Sequence, residues 1–182
     1  MKSLRYPVKD FYIPTTQGAM YGYRIHPITG AYSFHNGFDI AVPCDTPIHA
    51  QANGTISDIY YNDIGGLQLK IKYKNGLTSG FAHLNSTYAG IGQKVYEGEI
   101  IAFSGGDPNN PNAGRSTGCH IHYTLRNDKG NIIDPSTINY KPFKGDTALA
   151  SFPFIPFKSP LTSVLVIGGG LLLSFIIGKR KN

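Results

Sequence analysis

Short strand-like runs separated by glycine-bearing turns constrain this chain more than any other feature. Between Gly22 and Pro135 lie Gly54–Tyr61 (GTISDIYY), Leu67–Tyr73 (LQLKIKY), Glu99–Ser104 (EIIAFS) and His120–Arg126 (HIHYTLR). They are punctuated by Asn53-Gly54, Gly65-Gly66, Asn75-Gly76 and Gly105-Gly106. Asn-Gly and Gly-Gly tolerate the positive φ that tight hairpin turns demand. The run LQLKIKY alternates apolar and polar residues and ends at Lys74-Asn75-Gly76, which is the pattern of a strand entering a hairpin. No stretch in this region sustains a 3.6-residue apolar period. The expectation is a mostly β protein, with one compact antiparallel sheet domain over residues 1–140.

Composition agrees and sets the outer limits. The 182 residues suffice for one ordinary domain with an appendage, and 41% hydrophobic against 15% charged residues excludes a disordered chain. The formal charge of +6 is compatible with an anionic membrane, an anionic cell wall or nucleic acid as attractor. The folded part holds no basic run and no nucleic-acid motif, so dispersed surface cations are the plain account and no nucleic-acid partner is assigned.

The character of the chain changes near Lys141. Residues 141–160 carry Pro142, Pro153, Pro156 and Pro160 and read as a proline-rich linker. Residues 161–178 (LTSVLVIGGGLLLSFIIG) hold no charge, and the uncharged run 159–178 would span roughly 30 Å as a helix, about the thickness of a bilayer core. A basic tail, 179–182, follows. The expectation is one C-terminal transmembrane helix with lipid as a partner, rather than a buried apolar helix, because the run is apolar all round and ends in cations suited to headgroups. The N-terminus shows no apolar stretch of signal-peptide type.

Six histidines are present, and three of them sit in two tight settings, one of which includes a carboxylate. His35-Asn36-Gly37-Phe38-Asp39 places an imidazole and a carboxylate four apart. His120-Ile121-His122 places two imidazoles on alternate residues, which a strand turns to one side while Ile121 faces the core. Imidazole and carboxylate are ordinary zinc ligands, and a catalytic zinc keeps three protein ligands and one open position. Either motif alone is weak. Together, and with His83 in Phe81-Ala82-His83-Leu84, they supply enough ligands with a histidine to spare.

These segments resemble the lysostaphin-type (LytM-like) zinc metallopeptidases, which are cell-wall endopeptidases. The likeness runs from about Tyr21 to Pro135 through YGYRIHPITG, HNGFDIAVPCDTPIHAQANGTI, FAHL, GQKVYEGEIIAFSG and STGCHIHYTLR, in matching order and spacing. The resemblance implies His35, Asp39 and His122 as ligands of one zinc ion per chain, set in a groove, with His83 and His120 flanking the metal as catalytic residues. It implies bacterial peptidoglycan as substrate. YGYRIHPITG is more similar to members that cut directly crosslinked Gram-negative wall than to those that cut glycine bridges. The alternatives are a non-catalytic wall-binding or scaffold relative, and a peptidase of a glycine-rich protein. His26 and His49 are expected to be packed or hydrogen-bonding histidines, and Arg24 and Asn36 are candidate substrate contacts.

Cys119 precedes the paired histidines and Cys44 follows Asp39 by five residues. If both motifs meet at one metal the cysteines approach each other. A bracing disulfide is the expectation, with two free buried cysteines as its alternative. For location the sequence suggests a single-pass membrane protein whose catalytic domain faces the cell wall. It would sit in a bacterial envelope or, given the missing export signal, in the membrane of a phage virion that breaches the wall on entry.

Overall fold

The computed structural model describes residues 2–26 and 29–143. Almost all of the expected linker, and the whole of the expected membrane helix and basic tail, lie outside the described residues. Among the described residues no helix is long and apolar enough to cross a membrane.

The chain forms β1 (Ser3–Arg5), β2 (Gly22–Ile25), β3 (Tyr32–His35), β4 (Phe38–Ala41) and β5 (Pro47–His49). The long strands β6 (Gly54–Asn62), β7 (Gly66–Tyr73) and β8 (Thr78–Thr87) follow. Then come β9 (Lys94–Val95), β10 (Ile100–Ser104), β11 (His120–Arg126), β12 (Ile132–Ile133) and β13 (Asn139–Lys141). The only helical pieces among the described residues are 3₁₀ turns at Pro111–Ala113 and Pro135–Thr137.

Nine strands make one antiparallel sheet, with the backbone order β12-β11-β8-β7-β6-β9. β4 lies against β11 along His120–Tyr123, and β12 takes the same edge at Leu125 and Arg126. β10 pairs with β8 beyond the β11 contact and carries β5 on its other side. The expectation of an antiparallel sheet holds for these nine. Two small sheets complete the fold: the antiparallel β2–β3 hairpin, and a parallel pair of β1 with β13. That pair carries the folded unit past residue 140. Lys141 pairs with Arg5, and Phe143 lies under the Arg5 guanidinium at 4.2 Å and against His49 at 4.8 Å.

Period-two alternation decides which face is which. On β7, Leu69, Ile71 and Tyr73 are buried while Gln68 and Lys70 are turned outward; on β11, Ile121, Tyr123 and Leu125 are fully buried. Phe38, Ile40, Ile48, Ile56, Phe81 and Leu84 join them in one core. Each such side chain contributes about 1.5–3 kcal/mol on burial. The core has one polar centre, the fully buried Gln51. Its carbonyl accepts from the hydroxyls of Ser79 (2.7 Å) and Tyr123 (2.9 Å), and its amide donates to the Arg5 carbonyl (2.9 Å). The hairpin turn foreseen after β7 is present: Gly76 has φ +83°, and Asn75 accepts from the Leu77 amide.

Candidate metal centre

Two strand pairings assemble the site. The antiparallel register of β4 on β11 sets Asp39 opposite His122, and the β2–β3 hairpin ends on His35. The return between β3 and β4 needs Gly37, because any Cβ there would collide with the Tyr123 carbonyl. On β11 the alternation that buries Ile121 turns His120 and His122 to the opposite face, as their spacing predicts.

His35, Asp39 and His122 each offer a donor atom, and these three atoms lie within 4.8 Å of one another. His35 Nε2 is 2.9 Å from His122 Nδ1, which is 2.9 Å from Asp39 Oδ1; Asp39 Oδ1 is 3.3 Å from His35 Nε2. The outer nitrogens are already committed. His35 Nδ1 donates to the Met20 carbonyl at 2.7 Å. His122 Nε2 faces Asn36 Oδ1 at 3.0 Å and donates to it. Tautomers assigned in this way leave Nε2 of His35 and Nδ1 of His122 as bare lone pairs pointing at a carboxylate oxygen. Three lone-pair donors so close repel unless a cation or a proton lies among them. A tetrahedral zinc with bonds of about 2.0–2.1 Å needs donors about 3.3 Å apart, so the set fits this metal.

Electrostatics supports the same protonation states. Burial opposes the Asp39 carboxylate, but its interactions with His122 and His35 outweigh it and hold its pKa well below the usual carboxylate range. Burial pushes the His122 imidazole below its ordinary value, with the Asp39 bond only partly compensating. His122 is therefore neutral, as a ligand must be. Asp39 Oδ2 points the other way, to the Arg24 guanidinium at 3.2 Å.

His83 and His120 lie beside this cluster. Their rings are 4.6 Å apart, and His83 is 6.3 Å from the His122 ring. His83 Nδ1 donates to the Ala113 carbonyl at 2.7 Å; His120 Nδ1 donates to the Gly118 carbonyl at 2.8 Å. Both keep Nε2 as the basic nitrogen. Burial lowers the His83 pKa to about 4, against the opposing pull of the Ala113 bond, while the neighbouring His120 and His122 push the same way as burial. His83 reaches its place through backbone distortion. Its φ is +58°, and the β7–β8 register slips between the Leu67–Leu84 and Leu69–Phe81 pairs. Such a bulge re-aims a side chain at a cost of about 1–3 kcal/mol for the non-glycine left-handed residue.

The remaining histidines stay apart from the cluster, as expected. His49 donates from Nδ1 to the Gly98 carbonyl at 2.8 Å, and the His26 ring nitrogen accepts from the Thr29 amide at 3.3 Å. Arg24 and Asn36, the candidate substrate contacts, hydrogen-bond Asp39 and His122. Cys44 and Cys119 are joined by a disulfide with Cα atoms 5.1 Å apart, and among the described residues no cysteine is free. It ties the chain just after β4 to the residue before β11, so the strands carrying Asp39 and His122 are clamped covalently beside their pairing.

Two imidazoles and one carboxylate, with two more histidines at the rim, thus make a preformed candidate metal centre on an antiparallel sheet. The chain belongs to peptidase family M23, which matches residues 33–135. It is 36% identical to the DD-carboxypeptidase/endopeptidase Mpg of Neisseria meningitidis over 118 residues, covering 65% of this chain and 26% of that protein. It is 34% identical to the peptidoglycan DD-endopeptidase ShyC of Vibrio cholerae over 132 residues, covering 72% of this chain and 29% of that protein. The chain thus spans between a quarter and a third of the length of these relatives. Among solved structures it resembles a zinc containing peptidase from Vibrio cholerae, with TM-score 0.63 and 26% identity over 77% of this chain and 41% of that one.

Proposed function

We propose that this protein is a zinc-dependent endopeptidase that hydrolyses the peptide crosslinks of bacterial peptidoglycan. The observation that carries the reading is the convergence of His35 Nε2, Asp39 Oδ1 and His122 Nδ1 with both outer imidazole nitrogens already bound to oxygen. These three residues would hold one zinc per chain. Bound zinc supplies Lewis acidity that polarises a carbonyl and acidifies water.

His83 and His120 supply the proton chemistry. Each donates Nδ1–H to a fixed backbone carbonyl, which orients the ring and leaves Nε2 basic. Such a nitrogen takes a proton from water and returns it to the leaving amine, or in its protonated form stabilises the oxyanion. Asp39 is a ligand here and not the general base, since both its oxygens are engaged.

The names of the relatives support a D,D-crosslink as the bond cut, in line with the YGYRIHPITG segment. The same proposal puts the catalytic unit outside the cytoplasm, in a bacterial envelope or a phage virion membrane, anchored by residues 161–178. The uncharged run 159–178 and the Cys44–Cys119 disulfide, a bond that persists in oxidising compartments, favour it.

The test is incubation of the purified protein with peptidoglycan and mass spectrometry of the released fragments, with Asp39→Ala as control. Crosslink-cleaved peptides from the parent alone establish the hydrolase and identify the bond. No release from several wall types, despite bound zinc, moves the substrate elsewhere.

A further inference from the structure

The buried face of the β2–β3 hairpin carries one charged side chain that the proposed reaction does not use. Alternation sends Tyr23, Ile25, Tyr32 and Phe34 to the solvent side and Arg24 and His35 to the buried side. The Arg24 side chain is only 9% exposed. A guanidinium so enclosed is costly unless it is paired. Its partner is Asp39 Oδ2, at 3.2 Å. The other oxygen, Oδ1, is the one that faces His35 Nε2 and His122 Nδ1. The carboxylate is therefore divided, one oxygen to the ligand cluster and one to Arg24.

We propose that Arg24 is a positioning residue that restricts Asp39 to single-oxygen coordination of the metal. A carboxylate binds an ion through one oxygen or through both, and the second mode consumes a coordination position. With Oδ2 held by Arg24, Asp39 donates once and the centre keeps three protein ligands. The position needed for water or a substrate carbonyl stays open. Without Arg24, Oδ2 turns in beside Oδ1 and closes it. The contact is single-pronged, through one guanidinium nitrogen, so any cation of similar reach replaces it.

This inference rests on the three-ligand metal reading, and cobalt separates the two. Cobalt(II) in place of zinc absorbs strongly in the visible when four-coordinate and weakly when its coordination number rises. Cobalt-loaded full-length parent, Arg24→Met and Arg24→Lys are compared by visible absorption per bound cobalt, with metal-free melting curves to establish folding. The expected result is intense bands in the parent and Arg24→Lys, and bands weakened several-fold in Arg24→Met. Parent-like bands in folded Arg24→Met overturn the proposal. So does an Arg24→Lys protein as altered as Arg24→Met, which would mean that guanidinium shape rather than its charge is required. If Arg24→Met does not fold, Arg24→Gln, equally uncharged, takes its place and is judged in the same terms. A parent that binds no cobalt defeats the metal reading itself.

Discussion

His83 and His120 face each other across 4.6 Å, and each is pinned by an Nδ1–H donated to a backbone carbonyl, Ala113 for one and Gly118 for the other. Two imidazoles from different strands are thus held in one tautomer beside a second pair, His35 and His122, that could hold a metal with Asp39. Neither contributes a donor to that cluster.

Replacement of either histidine by alanine should therefore lower peptidoglycan cleavage by about 10²-fold or more, the usual contribution of a positioned acid or base. Bound zinc should stay at the parental stoichiometry. Metal analysis beside the cleavage assay checks this, and loss of zinc from His120→Ala would place that residue among the ligands.

Asp39→Ala is expected to behave in the opposite way. It removes the carboxylate of the cluster and leaves the Arg24 guanidinium buried without its partner. Zinc content should collapse and activity with it. A chelator should likewise abolish the parent's activity, and added zinc should restore it. Cleavage at parental rate by a zinc-free protein would contradict the assignment.

The disulfide closes a loop with a sequence separation of 75 residues. Restricting the unfolded chain over that length is worth roughly 4 kcal/mol in the loop-entropy account. Cys44→Ser with Cys119→Ser should lower the unfolding free energy by about 2–4 kcal/mol in denaturant titrations. The unreduced, unfolded parent should present no titratable thiol.

Acid should weaken the metal-free protein before its carboxylates protonate. His83, His122 and His49 all have folded pKa values below the ordinary 6.5, with burial the leading cause in each. The unfolded chain binds protons that the folded one refuses, so their contribution is present above pH 6.5. It fades as pH falls, and for His83 it is lost through about 4. Urea unfolding at a series of pH values should show the decline, and His49→Gln should make it shallower. Stability unchanged between pH 7 and pH 4.5 would refute it.

Much of this was legible in the residues. Alternation along LQLKIKY and HIHYTLR marked the core face of β7 and β11, and the same alternation put His120 and His122 on one side. His35 and Asp39 were legible as a pair from their spacing of four, while the need for Gly37, where the chain doubles back against Tyr123, showed only in the fold. Other parts had no local signature. Met20, Ala113 and Gly118 act through backbone carbonyls, a group every residue possesses, so nothing in their side chains announces the role. Arg24 was noticed but assigned to substrate. Its position on the His35 side of β2 follows from the cross-strand register with Ser33, which only the folded hairpin reveals. His83 was expected near the metal from its resemblance to a family motif, whereas the bulge that turns it there depends on how β8 meets β7. The parallel β1–β13 pair joins segments at opposite ends of the domain, beyond the reach of any short-range pattern.

That terminal pair also determines how the domain bears a load. A pull applied along the axis of β13 would meet ladder bonds to β1 that run across it. Bonds set crosswise to a pull share the strain and yield together rather than unzipping one at a time. β1 is in turn stitched into the core through the Arg5 amide to Gln51, whose side chain holds Ser79 of β8 and Tyr123 of β11, so a load on this pair is passed to the strands that carry His83, His120 and His122.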